Sequence, residues 1–566
     1  MLFSKAKIFF NLSKTLFQVL TKNEKRTFFL YLILSVFNTI LEIVSISILI
    51  LLLLMISGQD ISDSGFSIIL ESIPFSKTIY NISFIMISIV FLKTIFQIVF
   101  NYNQEKISYR ITTRITVSLY DKFINSKYID YINENYPRIL RILNQESVRI
   151  GGQLISPFIT MINEIFLLSV IIIFIFFYDF VLGIAFCLMS IILLISFTFS
   201  VNKIVKRLGK KITEANTSRI KLISETFKGF DIVKLFNKNQ TFIIQFDRIT
   251  QKISDAAYKN LFYLKLPKSI FELAIFIVVF SMIILLGLSN KEDLLITYLS
   301  ISAVSIYKII PSLNKLSNAF QGIQYFATPF KEIVDYLTID QETLYENFLG
   351  EFKTITYNNL SFKYDQDLIL ENLDFIINKN DFIGIYGPSG SGKSTFIKLL
   401  SGLLISNKGE IIIDNKRVSP IELRNYYSYV PQDSMILDEN IFTNISLEFN
   451  ESEIDKDRVL DILKKVDLFE IFEKSLNSSL GEGGIKVSGG QKQRVSIARA
   501  LYNNKKILIL DESTSNLDSK TEEKIINLLE KLSSELTIII VSHKQSSLIK
   551  CNKLFEVKNT KINRFK

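Results

Sequence analysis

The stretch Gly387-Pro-Ser-Gly-Ser-Gly-Lys-Ser394 has the pattern G-x-x-x-x-G-K-S of a phosphate-binding loop. The apolar run 382–386 before it predicts a strand, and 395–400 after it predicts a helix, which is the context that this loop requires. Its glycines let the backbone fold tightly, so that several N–H groups face one phosphate cluster at the start of a helix. The stretch therefore predicts an α/β domain built around a bound phosphate group.

The chemistry of the loop assigns a role to its last two residues. Lys393 is expected to reach the β- and γ-phosphates of a nucleotide, and the Ser394 hydroxyl to bind Mg²⁺. We therefore expect ATP and Mg²⁺ as the ligands of this loop. The residues expected to bind the nucleotide here are Gly387, Ser389, Gly390, Ser391, Gly392, Lys393, Ser394 and Thr395.

Apolar residues are concentrated in the first half of the chain. Of 566 residues, 48% are hydrophobic, and the mean hydropathy is +0.30. The excess lies before residue 320, which predicts a membrane half followed by a soluble half. Much of the net charge of +10 flanks the apolar spans, where it sets topology, so we do not expect nucleic-acid binding. Two cysteines provide neither a disulfide framework nor a cysteine metal cluster.

Six apolar stretches are each long enough to cross a bilayer core of about 30 Å. They lie at 27–57, 80–102, 154–178, 180–201, 267–288 and 294–316. The segment 1–26 mixes basic and apolar residues, which predicts an amphipathic helix on the inner membrane surface and a cytoplasmic N-terminus. Long basic segments follow the second and fourth spans, and short turns follow the third and fifth. The positive-inside rule then places the soluble half in the cytoplasm.

The long basic segments have a helical pattern, so we expect the membrane helices to continue into the cytoplasm. The turns at 127–135 and 225–231 are candidate coupling helices that touch the soluble half. Pro267 and Pro311 are expected to kink or start their helices. Between the first two spans, 64–75 has one apolar helical face, which indicates either a packed loop helix or a helix on the outer membrane surface.

Charged residues inside apolar spans are costly, so they are candidate functional residues. Two interpretations stay open, because such charges either line the path of a substrate or form structural ion pairs. The charged residues concerned are Glu42, Lys93, Glu164, Glu272 and Lys308.

The soluble half begins after a linker at 317–350 and spans 351–566. Strands are predicted at 354–360 and 368–377, and Tyr364 stands between them. An aromatic ring at this distance before the phosphate loop is expected to stack on the adenine of the nucleotide. The alternative is a half-buried strand aromatic.

Polar side chains follow the predicted strands after the loop. Gln432 is expected to place its amide on Mg²⁺ or on the attacking water. The buried strand 506–510 ends in two acids, of which Asp511 is expected to hold Mg²⁺ and Glu512 to polarise water for attack on the γ-phosphate. His543 is the only histidine, and it ends the strand 537–541, where it is expected to bond the γ-phosphate.

A second anion site is predicted at Val487-Ser-Gly-Gly-Gln491, ahead of a helix at 492–502. The first loop is already a phosphate site, so this one makes sense if it completes the site of another copy. Its expected nucleotide-binding residues are Ser488, Gly489, Gly490 and Gln491, and Asp518 follows in a later tight loop.

In this order, the motifs resemble those of the ATP-binding cassette transporters over essentially the full chain. The residues that carry the resemblance are Gly387–Ser394, Gln432, Val487–Gln491, Asp511, Glu512, Asp518 and His543. Val487 stands where the family usually has Leu, which is a mild apolar change. The resemblance implies a multidomain membrane protein with a six-helix transmembrane domain of the type IV exporter kind, followed by an α/β P-loop nucleotide-binding domain.

The resemblance also implies a half-transporter that hydrolyses ATP as a dimer, with each phosphate loop facing Ser488 and Gly490 of the other copy. The segments 64–75, 267–272 and 306–314 resemble the lipid-linked oligosaccharide flippases. This implies that a homodimer in the bacterial cytoplasmic membrane moves a polyprenyl-diphosphate oligosaccharide, or a related amphipathic lipid, to the outer leaflet. The alternatives are a peptide or hydrophobic-drug exporter and, in another class, a non-transporting cassette ATPase.

Overall fold

The computed structural model describes residues 12–56, 79–178, 180–288, 295–342, 351–513 and 518–565. The chain divides into two compact units, Met1–Gln341 and Glu342–Lys566. The predicted outer helix at 64–75 lies outside the described residues, so its two interpretations stay open.

Six long helices form the described part of the first unit, as the apolar stretches predict. They are α1 (Lys22–Ile56), α2 (Ile79–Ile124), α5 (Ser156–Tyr178), α6 (Phe180–Lys228), α8 (Asn239–Leu288) and α9 (Leu295–Leu337). Four of them, α2, α6, α8 and α9, continue far beyond the apolar spans, which confirms the predicted helical extensions. By length and apolarity alone, Lys22–Leu49, Tyr80–Ile124 and Gly151–Ile173 are able to cross a membrane among the described residues.

Short helices lie in or directly after the turns predicted at 127–135 and 225–231. They are α3 (Tyr128–Asn133), α4 (Tyr136–Arg141) and α7 (Phe230–Leu235). The turn predicted at 127–135 contains α3, which has no buried residue. The turn predicted at 225–231 leads into α7, of which only Val233 is buried. Their role as coupling helices stays a prediction.

The N-terminal segment is tied to α2. Residues 12–19 are helical, and Leu16 and Leu20 are buried. The Arg114 guanidinium pairs with the Glu24 carboxylate at 2.6 Å and also donates to the Val19 carbonyl at 3.1 Å. Because one arginine holds both sides of the chain bend before α1, the described part of this segment is anchored at its C-terminal end.

Prolines do not end the long helices. Pro267 does not start a helix, because α8 begins at Asn239 and runs through it. Helix α9 runs through Pro311 and Pro329, so the predicted linker 317–350 is helical as far as Leu337. Fully buried neighbours such as Phe271 and Leu313 explain this, since tertiary packing outweighs the local cost of proline.

An irregular helical stretch precedes α5. It consists of the π-turn Ile142–Glu146, the 3₁₀ turn Ser147–Arg149 and the π-turn Gly151–Ile155. Arg141, the last residue of α4, stands directly before this stretch and is only 1% exposed. It pairs with Glu146 at 3.1 Å and with Glu332 of α9. Two carboxylates therefore share one buried guanidinium where the α-helical hydrogen-bond pattern changes.

The second unit contains two sheets. The antiparallel sheet has the order β2-β1-β4-β5, and the larger sheet has the order β10-β9-β3-β8-β7-β6. The strands are β1 (Thr354–Tyr364), β2 (Asp367–Asn378), β3 (Phe382–Tyr386), β4 (Lys408–Ile413), β5 (Lys416–Val418), β6 (Tyr427–Val430), β7 (Ile507–Asp511), β8 (Thr537–Val541), β9 (Lys553–Lys558) and β10 (Lys561–Arg564).

Helices surround the larger sheet, and its central strands are parallel. The helices are α10 (Lys393–Leu400), α11 (Pro420–Leu423), α12 (Ile441–Ser446), α13 (Lys456–Lys465), α14 (Phe469–Phe472), α15 (Gly489–Tyr502) and α16 (Ser519–Leu532). Strands β6, β7, β8 and β3 run in the same direction. Their carboxyl ends therefore meet at one edge, which is where ligands bind in open α/β sheets.

The element boundaries follow the predictions closely. Strand β8 has the predicted bounds, whereas α10 and α15 begin two and three residues earlier than predicted, at Lys393 and Gly489. The difference arises because Gly392 and Ser488 are the N-caps, so each anion motif extends into the first helical turn.

The buried ion cluster around Arg141 generates a stability prediction. Arg141→Ala removes the guanidinium that forms the ion pair with the buried Glu146, which should cost about 3–5 kcal/mol. Lys221→Ala, which removes an exposed pair with Glu225, should change stability by under about 0.5 kcal/mol. Unfolding of the purified protein in detergent measures both, and equal effects would contradict a stabilising role for the buried cluster.

Candidate functional site

The phosphate loop joins β3 to α10. Gly390 and Gly392 have φ values of +77° and +97°, a left-handed backbone that other residues adopt at a cost. Gly392 caps α10 without a side-chain acceptor, so the first backbone N–H groups of the helix are not covered by a cap. In this loop Ser389, Gly390 and Ser394 are exposed, and Thr395 is half-buried. The loop has the geometry of an anion site.

Lys393 folds back over the loop. Its ammonium group donates to the carbonyl oxygens of Gly387 and Pro388, both at 2.9 Å, and the residue is 7% exposed. The Ser391 hydroxyl is buried without a hydrogen-bond partner in the described part of the chain. A buried donor and a buried ammonium group beside an uncapped helix start fit a phosphate group.

Asp511 ends β7 and is 5% exposed. Its carboxylate accepts a hydrogen bond of 2.9 Å from the Tyr429 hydroxyl of β6. Burial raises the pKa of Asp511, with the Glu512 charge adding to the rise, while the Tyr429 bond and the charges of Lys398 and Lys393 oppose it. Asp511 therefore lies within electrostatic reach of the phosphate loop.

Glu512 meets the two other predicted catalytic residues. The Gln432 side-chain amide donates to the Glu512 carboxylate at 3.2 Å. The His543 Nδ1 lies 3.8 Å from the same oxygen, which makes an ion pair only when the imidazole is protonated. The φ of Glu512 is +48°, a strained value that is typical of functional positions. Three side chains from the ends of three neighbouring strands thus converge.

Tyr364 ends β1 at the turn into β2, where it is half-buried. Its ring packs edge-on against Phe362, with ring centroids 4.9 Å apart. On the next strand, Ile369 lies beside the loop, because a Cβ on Gly392 would stand 3.1 Å from its side chain. The hairpin that carries Tyr364 therefore borders the phosphate loop, and adenine stacking stays a prediction.

The second anion motif is an ordered helix start. The Ser488 hydroxyl accepts from the Gln491 N–H at 3.3 Å, and the Gln491 side-chain oxygen accepts from the Ser488 N–H at 2.8 Å, which is a capping box. Gly489 is exposed, and a Cβ there would meet nothing within 4 Å. In the described structure, the Ser488 hydrogen bonds stay within this helix start, where Gly490 is half-buried.

Asp518 caps the next helix, α16. Its carboxylate accepts from the Thr521 N–H at 3.1 Å, and hydrogen bonds from Thr521 lower the pKa of this exposed carboxyl. The residue is exposed and so is accessible for its predicted contact with the nucleotide. That contact stays a prediction.

A second group of site candidates lies within the six-helix unit. Glu42 of α1 pairs with Lys93 of α2 through one carboxylate oxygen and with Lys308 of α9 through the other. The side chains of Glu42, Lys93 and Lys308 are 9%, 10% and 22% exposed. Each of these in-span charges thus belongs to an ion pair, and together they form what we call the Glu42 cluster.

The remaining in-span acids separate into two environments. Glu164 of α5 is 3% exposed and accepts from Lys315 of α9 at 3.0 Å. Glu272 of α8 is 41% exposed at its side chain and lies 3.9 Å from Lys268 on its own helix. Glu272 is therefore an ordinary surface charge, whereas Glu164 is buried.

Two contacts were missed by sequence reasoning. The sequence analysis assigns no role to Tyr429, although the alternation in Tyr427–Val430 turns it opposite to its buried neighbours Ser428 and Val430. The merging of Glu42, Lys93 and Lys308 into one cluster has no local sequence signal, because the residues belong to three helices.

The fold and the site together define a class. Long apolar helices precede an α/β unit in which a phosphate loop, a buried aspartate and a convergent glutamate, glutamine and histidine share one sheet edge. That combination is a membrane protein with a P-loop ATPase domain.

Comparison with known families identifies the class more closely. Residues 28–306 match the family described as "ABC transporter transmembrane region", and residues 370–515 match "ABC transporter". The chain belongs to the ABC transporter family, and it is an ATPase-coupled exporter and an integral membrane protein. A bacterial Atm1-family ABC exporter with ATP bound has the same fold, with a TM-score of 0.79 over 96% of this chain and 94% of that chain at 19% identity. The predicted fold class is confirmed.

Sequence relatives differ in what their names say they transport. A putative export ATP-binding/permease protein of Rickettsia typhi is 28% identical over 79% of this chain and 80% of its own length. A multidrug resistance ABC transporter of Lactococcus lactis is 32% identical over 47% of this chain and 48% of its own. An ATP-dependent lipid A-core flippase of Francisella novicida is 30% identical over 46% and 45%. The relatives agree on export and disagree on cargo.

The position of Tyr364 generates a binding prediction. Tyr364→Ala should weaken ATP binding about tenfold, the order expected for loss of one stacking contact with a base, with less effect on turnover at saturating ATP. Tyr364→Phe keeps the ring and should bind ATP like the wild type. Nucleotide titration of the purified protein measures both variants, and an unchanged affinity in Tyr364→Ala would reject stacking.

Proposed function

We propose that this exporter moves an amphipathic lipid with an anionic head group, such as a polyprenyl-diphosphate oligosaccharide, from the inner to the outer leaflet. The observation that carries the proposal is the Glu42 cluster. It places two ammonium groups and one carboxylate inside the six-helix unit, a net charge of +1 among these three residues. An unbalanced buried charge is costly, so an anionic ligand group would stabilise it.

Buried polar residues elsewhere in the six-helix unit support the same cargo. Helix α1 buries polar side chains at Ser35, Asn38, Thr39, Glu42, Ser45 and Ser47. Within the described residues, Asn38, Asn163 and Glu164 each have a buried oxygen without a hydrogen-bond partner. Sites for hydrophobic small molecules are mostly apolar, whereas the unpartnered oxygens of this interior offer hydrogen-bond acceptors to the sugar hydroxyls of a glycan head group. Lipid tails would stay in the surrounding bilayer.

ATP would be held and hydrolysed at the sheet edge. The Lys393 ammonium group would leave the carbonyl oxygens of Gly387 and Pro388 and bind phosphate oxygens instead. The hydroxyl of Ser391 and the N–H groups of the loop would bind the same phosphates. Glu512 would polarise the attacking water. Gln432 and His543 already approach the Glu512 carboxylate, and they would orient the water and the γ-phosphate. Hydrolysis would then reset the transporter.

Mg²⁺ would be held by the carboxylate of Asp511, the hydroxyl of Ser394 and Gln432. One carboxylate with neutral oxygen donors and phosphate oxygens is the ligand set that Mg²⁺ prefers. When bound, the ion neutralises charge on the β- and γ-phosphates. The Tyr429 hydroxyl would orient the Asp511 carboxylate for this task.

The functional unit would be a homodimer. Ser488, Gly489, Gly490 and Gln491 form an ordered helix start whose backbone N–H groups would bind the nucleotide held by the phosphate loop of the partner copy. Asp518 would lie in the same composite site. Since each copy carries Glu512, both sites of a homodimer would be competent.

The proposed arrangement has four parts in a bacterial cytoplasmic membrane. Residues 1–26 would lie on the inner surface, 27–316 would span the membrane, 317–350 would link, and 351–566 would form the cytoplasmic cassette. Basic residues near the inner ends of the spans favour this orientation.

A second candidate cargo is a peptide or hydrophobic drug. The multidrug relative from Lactococcus lactis, at 32% identity, favours it. An uncharged apolar cargo would leave the charge of the Glu42 cluster unbalanced, which is why the anionic lipid ranks first.

Lipid translocation in proteoliposomes tests the proposal. Wild-type protein should move a polyprenyl-diphosphate oligosaccharide to the outer leaflet with ATP, and Glu512→Gln should abolish both transport and ATP turnover because it removes the carboxylate that polarises water. Glu523→Gln, an exposed acid on α16, is the matched control and should transport normally. Robust ATP hydrolysis without movement of this lipid would overturn the cargo and leave the exporter assignment intact.

The contact between Tyr429 and Asp511 gives a metal-dependence prediction. Tyr429→Phe removes one hydrogen bond to the carboxylate, so half-maximal ATPase activity should require about tenfold more Mg²⁺, a typical effect of a supporting residue. Tyr502→Phe, which removes a hydroxyl bonded to the Asp455 N–H, should leave the Mg²⁺ titration unchanged. Identical Mg²⁺ curves for wild type and Tyr429→Phe would show that the bond does not position Asp511.

A further inference from the structure

The Glu42 carboxylate occupies the position of an anion between two lysines. One oxygen contacts the Lys93 ammonium and the other contacts the Lys308 ammonium. Both ammonium groups contact the same carboxylate, so their positive charges lie close together. A carboxylate that bridges two ammonium groups makes the contacts that a phosphate group would make.

The two lysines are held to different degrees. Lys93 has a second partner, since its ammonium donates to the Ser45 hydroxyl at 3.3 Å, and its side chain is 10% exposed. Lys308 is 22% exposed, and its ammonium lies 5.2 Å from the centre of the Tyr307 ring. Because Tyr307 is itself exposed, Lys308 faces the accessible side of the cluster.

We propose that Glu42 is a resident counter-anion that an arriving phosphate group displaces from Lys308. This inference rests on the proposed function, because it specifies how that cargo enters its site. After displacement, Glu42 keeps Lys93 and leaves a neutral buried pair, while Lys308 binds the phosphate. One of the negative charges of the diphosphate then balances the net charge of the cluster.

The same arrangement recurs two helical turns along α9. Lys315 is seven residues after Lys308, about 10 Å along the helix axis and on the same face. Its side chain is 55% exposed, whereas its partner Glu164 is 4% exposed at the side chain. In both pairs the carboxylate is buried and the lysine of α9 is the more accessible member. This difference in exposure suits a mechanism in which the lysines exchange partners while the acids stay in place.

Competition of this kind lowers the affinity for the ligand. A ligand that must displace an internal group binds only the fraction of molecules in which that group is released, so its apparent affinity falls by that fraction. Removal of the competing charge should therefore tighten binding. A purely structural carboxylate would act in the opposite way, since its loss would disorder the lysines and weaken binding.

Binding of farnesyl diphosphate to the full-length protein in phosphatidylcholine nanodiscs tests the inference. Glu42→Gln should bind this probe about tenfold more tightly than wild type, a common size of coupling between two ligands. Lys308→Gln should bind it more weakly, and Glu42→Gln should have no effect in the Lys308→Gln background. Glu272→Gln, an exposed in-span acid, is the matched control and should bind like wild type.

A shorter acid keeps the test valid if Glu42→Gln does not fold. Glu42→Asp retains the charge but lacks one methylene, so it should fail to bridge both lysines and should also tighten binding. Farnesol, which has no phosphate, should bind all variants equally. Inorganic diphosphate distinguishes a lipid head group from a free anion as the ligand. If the Glu42 variants bind it more tightly than wild type by the same factor as farnesyl diphosphate, displacement of Glu42 is supported with a free phosphate as the ligand.

The outcomes separate the two proposals. Unchanged or weaker binding of farnesyl diphosphate in Glu42→Gln and Glu42→Asp, with wild type still binding it, would overturn the role of Glu42 and leave the cargo intact. If wild type neither binds farnesyl diphosphate nor moves the lipid-linked oligosaccharide, the proposed function fails instead.

Discussion

The parallel direction of β6, β7, β8 and β3 is the constraint on which the ATPase unit depends. Because parallel strands end at a common edge, Gln432, Glu512, His543 and the phosphate loop reach one place although they are far apart in the chain. The central strands β7 and β8 are buried throughout, so the hydrophobic effect fixes their register. That register in turn fixes the distances between the predicted catalytic groups, including the 3.2 Å between Gln432 and Glu512.

The membrane unit is governed by a different constraint, the cost of isolated charge away from water. Where a carboxylate is buried, as at Glu42, Glu146 or Glu164, a cation from another segment or helix reaches it. These pairs tie helices together, but they do not all balance. Around Glu42 two cations share one acid, whereas around Arg141 the Glu332 carboxylate also lies 3.9 Å from the Arg138 guanidinium. The imbalance around Glu42 is the observation on which the proposed anionic cargo rests.

Sequence reasoning succeeded wherever a pattern is local. The G-x-x-x-x-G-K-S loop, the strand 537–541 and the long helical extensions each depend on neighbouring residues, and the structure contains them. It was less accurate at helix starts. Of the two options for Pro267 and Pro311, a helix start is contradicted and a kink stays a prediction. Gly392 and Ser488 moved two helix starts into the anion motifs, and packing around Phe271 and Leu313 carried helices through Pro267 and Pro311. Local propensity is a weak term beside burial in a bundle.

The sequence by itself determined an ABC transporter with an ATP site, because a phosphate loop and strand-end acids are short motifs whose chemistry needs contiguous residues. Only the tertiary structure decided which charges meet. Lys308 contacts Glu42 across 266 residues, and Gln432 contacts Glu512 across 80. Helical periodicity states which residues share a face, but not which face meets which helix, since that depends on how whole helices pack. The charge clusters of the membrane unit are therefore a property of its packing.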